Sequence, residues 1–94
     1  MKAARFYDRG DIRIEDIPEP EVTPGTVGIK VAWCGICGTD LHEFMEGPIF
    51  IPPCGHPHPI SGESAPITMG HEFSGVVYAV GEGVDDIEIG QHVV

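Results

Sequence analysis

The pattern that most restricts this chain is a period-two alternation cut repeatedly by glycine and proline. Side chains that alternate faces at every residue belong to strands, and the thirteen glycines and nine prolines favour short strands and many turns over long helices. Lys2 to Tyr7 and Asp11 to Ile17 read as two strands, with Ile12 and Ile14 alternating against Asp11, Arg13 and Glu15. Pro18-Glu19-Pro20 ends the second, because proline cannot donate to a ladder. Thr23-Pro24-Gly25-Thr26 suits a type II turn, in which proline presets the first central residue and glycine permits the second. Val27, Ile29, Val31 and Trp33 then line one face of a third strand.

Thr39 or Asp40 is expected to cap a short helix running to about Met45, which Gly47-Pro48 stops. Residues 47 to 68 are proline-rich and aperiodic, and read as a long surface loop. Phe73 to Val80 is a further strand, followed by a turn at Gly81-Glu82-Gly83. Gln91 to Val94 reads as the opening of another strand. The expectation is an all-β fold with one short helix, in a chain of 94 residues that is one domain at most.

Charge and composition narrow the function. A formal net charge of −10 opposes binding to nucleic acid or to anionic membranes, since phosphates would be repelled. No stretch approaches the roughly 18 apolar residues of a membrane span. Met1-Lys2-Ala3-Ala4-Arg5 begins with positive charge, but Tyr7-Asp8-Arg9-Gly10-Asp11 stands where a signal peptide needs apolar residues. Three cysteines do not suit a disulfide framework, and a cytoplasmic, reducing setting is the simplest expectation.

Two short stretches carry chemistry: Gly35-Ile36-Cys37-Gly38-Thr39-Asp40-Leu41-His42 and Met69-Gly70-His71-Glu72-Phe73. A thiolate, an imidazole and a carboxylate brought together by a fold can hold zinc with one position left open for chemistry. Gly35 and Gly38 permit a tight turn that projects the Cys37 sulfur from a strand end. Thr39 offers a hydroxyl that both donates and accepts, Asp40 can hydrogen-bond a ligand imidazole, and His42 can carry a proton to solvent. Other readings stand beside this one. Cys34 and Cys37 have the spacing of a thiol–disulfide oxidoreductase motif, although the helix behind them is short. Half a structural zinc site would need a second cysteine pair, and only Cys54 is available. Cys34 fits a buried, inert thiol; His56, His58 and Cys54 fit an exposed loop without a metal role.

The stretches GICGTDLHEF and MGHEFSGVVYAVGEGV resemble the N-terminal part of a zinc-dependent medium-chain dehydrogenase/reductase. WCGICGTDLHEF, GPIFIP and APITMGHEFSG are most similar to the 2,3-butanediol dehydrogenase branch of that family. The resemblance spans nearly the whole chain. It implies that residues 1–94 are a GroES-like N-terminal catalytic domain, with NAD bound mainly by a Rossmann domain outside them. It also implies Cys37 and His71 as zinc ligands, Glu72 as an adjacent and sometimes coordinating carboxylate, Thr39 as acceptor of the alcohol proton, and His42 as its relay. Asp40 would steady a ligand. The implied reaction interconverts a secondary alcohol, such as a vicinal diol or acyloin, with its ketone. The implied partners are that small molecule and further copies of the protein, as a dimer or tetramer.

The family's remaining zinc ligand, its cysteine-rich structural zinc lobe and its dinucleotide motif have no counterpart before Val94. The domain is therefore expected to be incomplete, inactive by itself and weak in zinc affinity. A zinc-binding or interaction module that reuses the same domain is the alternative.

Overall fold

The computed structural model describes residues 1–94. Its elements in chain order are β1 (Lys2–Asp8), β2 (Asp11–Asp16), β3 (Val27–Gly35), α1 (Gly38–Glu46), β4 (Ile67–Thr68), β5 (Glu72–Val80) and β6 (His92–Val93). This is the expected mainly-β chain with one short helix. It divides into two compact units: Met1–Pro18 with Ile36–Gly70, and Glu19–Gly35 with His71–Val94.

The first unit holds the antiparallel sheet β2-β1-β4 and the helix. Its core is Phe6, Ile51 and Ala65, all buried, with Ile67 and Met69 packed against them. The segment 47–68 is thus not wholly the surface loop its aperiodic sequence predicts. Ile51 and Ala65 fold back onto Phe6, the Ala65 N–H donates to Pro52 O at 2.8 Å, and Ile67–Thr68 pair with Phe6 and Arg5. The Arg5 guanidinium strengthens that edge by donating to Thr68 Oγ1 and Pro66 O. Apolar collapse onto an aromatic ring overrides the absence of local periodicity. In β2 the alternation makes a strand but no buried face: it is an edge strand, and Ile14 stays 70% exposed.

The second unit is the antiparallel sheet β3-β5-β6, with Val77 its fully buried side chain. The Thr23–Thr26 turn forms as expected: Gly25 has a φ of +79° and the Thr26 N–H donates to Thr23 O at 3.1 Å. Gly25 N and Gly81 N then bond Glu82 O and Thr26 O, which ties this turn to the one after β5. The single apolar face expected for β3 does not persist. Register shifts between Gly28 and Ile29 and between Val31 and Trp33 interrupt the alternation, and from Lys30 onward the strand is exposed on both faces, Val31 at 52% and Trp33 at 81%.

Candidate metal centre

The site starts from the end of a ladder. β3 and β5 pair down to Gly35 opposite Glu72, and a Cβ built on Gly35 would meet Glu72 Oε2 at 3.8 Å. The start of β5 therefore lies beside the strand end that leads, two residues later, to Cys37. His71 enters just before β5, directly after Gly70, whose φ of +111° turns the chain.

Cys37 itself is the N-cap of α1, with extended dihedrals of −92° and 156°. The cap expected at Thr39 or Asp40 moves back to this residue for a physical reason. Asp40 sits at the third helical position, where its Oδ2 accepts the Cys37 backbone N–H at 3.0 Å, while Cys37 O accepts from Asp40 N and Leu41 N. A carboxylate in the first turn also complements the positive end of the helix dipole. The thiol-bearing residue is thus held at a backbone position fixed from both sides.

The sulfur of Cys37, a ring nitrogen of His71 and a carboxylate oxygen of Glu72 all lie within 4.8 Å of one another. Four-coordinate zinc with sulfur at about 2.3 Å and nitrogen at about 2.1 Å needs donor–donor separations of about 3.4–3.8 Å. The donor set and its spacing fit such an ion after small side-chain adjustments. Cys37 is half-buried, whereas His71 and Glu72 are exposed. Thr39 and His42 are exposed positions of α1, and Asp40 is half-buried there.

The other sequence candidates behave differently. Cys34 is exposed, not buried, since no residue covers either face of β3 from Lys30 onward; its thiol faces its neighbour's carbonyl, Gly35 O, at 3.6 Å. Cys54, His56 and His58 are exposed, as a loop role predicts. His58 nonetheless organises its own turn, since its Nδ1 accepts from Ile60 N and Ser61 N and its carbonyl from Gly62 N.

Residues 23–94 match the model of the alcohol dehydrogenase GroES-like domain. The chain belongs to this family. Over its whole length the GroES-like segment is 92% identical to the (R,R)-butanediol dehydrogenase of Neisseria gonorrhoeae and 62% identical to that of Bacillus subtilis, covering 27% of each. The crystal structure of the Bacillus subtilis 2R,3R-butanediol dehydrogenase superposes with a TM-score of 0.92 at 60% identity, over 97% of this chain and 26% of that one. The chain thus spans about a quarter of the length of the relatives it matches.

Two residues with no role expected from sequence support the GroES-like segment's helix. Glu43 is 3% exposed, and its carboxylate accepts the backbone N–H groups of Ile49 and Phe50. Arg9, at the tip between β1 and β2, donates from Nε to Gly47 O at 3.0 Å and from a terminal nitrogen to Glu46 O at 3.1 Å. Nothing local marks either residue. An acid within a helix and an arginine in a hairpin turn are ordinary, and their partners become visible only once the chain has folded back.

Proposed function

We propose that this chain is the N-terminal part of a zinc-dependent oxidoreductase that interconverts a secondary alcohol with its ketone, using NAD. A vicinal diol or acyloin such as 2,3-butanediol or acetoin is the substrate class. The observation that carries the reading is the cluster of Cys37, His71 and Glu72 donors within 4.8 Å, in a chain of this family. Its high identity to enzymes named as butanediol dehydrogenases supports the choice of substrate.

In this reading Cys37 and His71 hold zinc and Glu72 is the adjacent carboxylate. Bound there, zinc would supply Lewis acidity for an alcohol oxygen, and a nicotinamide held outside these residues would supply the hydride acceptor. Thr39 Oγ1 takes the alcohol proton, and the exposed imidazole of His42, three residues along α1, passes it to water. Asp40 holds the Cys37 backbone in place by accepting its N–H at Oδ2. A cytoplasmic, homo-oligomeric protein fits the same reading. No helix is long and apolar enough to cross a membrane.

The thiol–disulfide alternative draws less support. Cys34 belongs to β3 and only Cys37 opens the helix, so the pair does not share a helical first turn as that chemistry prefers. The deciding experiment uses the complete protein with NAD and (R,R)-2,3-butanediol. Cys37→Ser and His71→Ala are expected to lose bound zinc and nearly all turnover while keeping the thermal transition. Undiminished turnover in Cys37→Ser would overturn the proposal. The isolated 94-residue chain is expected to show no NAD-dependent turnover.

A further inference from the structure

The helix α1 carries every site residue between Cys37 and His42 at its N-terminal end, and a separate set of contacts secures its C-terminal end. Nine residues make a rod of about 13 Å, stiff over that length because each turn is hydrogen-bonded to the next. The last carbonyls of a helix have no partner within it. Here the β1–β2 tip supplies them: Gly10 N donates to Phe44 O at 2.7 Å, and Arg9 donates to Glu46 O and Gly47 O. Glu43, buried on the helix, holds the following backbone at Ile49 and Phe50. Gly47 leaves no slack, since a Cβ there would overlap the Glu43 carbonyl and carboxylate.

We infer that Arg9 and Glu43 are positioning residues for the Cys37 thiol, acting through α1 as a clamp on the far end of the helix. The inference rests on the reading of Cys37 as a metal ligand. Loss of the clamp frees the last turn of α1, lets the short rod tilt, and displaces the sulfur at its N-cap. A cation at the carbonyl end also complements the negative end of the helix dipole, so neutralising Arg9 removes both hydrogen bonds and a favourable charge.

The test uses the complete protein loaded with Co²⁺, whose thiolate charge-transfer and d–d bands report the ligand geometry independently of turnover. Arg9→Met is expected to weaken Co²⁺ binding about 10-fold and to alter the d–d bands. Arg9→Lys should restore part of both, because one donor and the charge remain. Glu43→Gln should shift both in the same direction by less. Arg5→Met is the matched control: Arg5 lies on β1, the strand that leads to Arg9, and makes two hydrogen bonds, to Thr68 and Pro66, neither of them to α1. It should lower Tm while leaving Co²⁺ affinity and bands unchanged.

Equal losses of affinity in Arg9→Met and Arg5→Met would overturn the clamp, as would unchanged bands in Arg9→Met. If Arg9→Met does not fold, the same comparison is read from Arg9→Lys and Glu43→Gln, and unchanged bands in both overturn it. Cys37→Ser separates the two levels of the argument. A thiolate band that survives Cys37→Ser overturns the ligand reading itself, whereas a band lost there but untouched in the Arg9 variants overturns only the clamp.

Discussion

The β3–β5 ladder and the segment from Gly47 to Pro66 hold their shapes by opposite means. The ladder runs from Val27 opposite Val80 to Gly35 opposite Glu72, and its order comes from repeated backbone pairing. The Gly47–Pro66 segment has no such repeat. A few unique contacts shape it: the Glu43 carboxylate on Ile49 and Phe50, Ile51 and Ala65 against Phe6, and the His58 turn. Redundant bonding tolerates the loss of one member, whereas a structure built from single contacts does not. Variants in the two regions should therefore differ sharply in cost.

The largest expected effect is at Phe6, which is fully buried and is the side chain around which Ile51 and Ala65 collect. Phe6→Ala should destabilise by about 3–5 kcal/mol in urea titration. A cost below about 1 kcal/mol would mean that the segment is shaped without this core. Next is Glu43→Ala, which leaves two backbone N–H groups without their acceptor. It should cost about 2–3 kcal/mol and speed hydrogen exchange at Ile49 and Phe50 while amides of Val76 and Val77 in β5 keep their protection. Equal acceleration in β5 would erase the proposed contrast.

Gly25→Ala probes the second unit's turn. At a φ of +79° an alanine is strained, and the expected cost is about 1 kcal/mol, since the adjoining bonds to Glu82 and from Gly81 remain. A loss as large as that of Phe6→Ala would show that this unit, too, depends on a single point.

The smallest effects belong to the exposed cluster on β1 and β2. The Arg13 guanidinium, bonded to both Asp11 oxygens at 3.0 and 2.9 Å, holds that carboxyl below its usual range. Its contribution is present above the unfolded carboxylate pKa and is lost as pH falls through the lower folded value. The hydrogen bond to Glu15 Oε1 at 2.6 Å raises the Tyr7 phenol, so that contribution is present below the phenol's ordinary pKa and lost as pH rises through the folded one. Arg13 also stacks 4.0 Å from the Tyr7 ring centroid. Arg13→Met should therefore flatten the acid limb of a plot of urea midpoint against pH. An unchanged acid limb would remove Asp11 from the account.

Much of the secondary structure was legible because it is decided within a few residues. Pro24-Gly25 fixes its turn through the dihedrals those two residues accept, and the strand from Phe73 to Val80 needed only one added residue, Glu72, at its start. β3 was legible as a strand but not as a face, because its two register shifts answer to its partner β5. Cys34, expected as a buried thiol, is exposed because neither face of β3 is covered from Lys30 onward. The helix cap lies two or three residues before Thr39 or Asp40, because an Asp reaching back from the third helical position looks, in sequence, like an Asp standing at the cap.

The donor types of the candidate site were present in the sequence alone: one thiol, one imidazole and one carboxylate, in glycine-flanked stretches 34 positions apart. Local chemistry determined them, as it determined turns and strands. Their approach to within 4.8 Å, the capping role of Cys37 and the grip of Arg9 on Gly47 were decided only in three dimensions. Each joins groups whose proximity depends on strand register and chain reversal. The free energy that selects a register is summed over a whole ladder and its core, so no short stretch of sequence carries it.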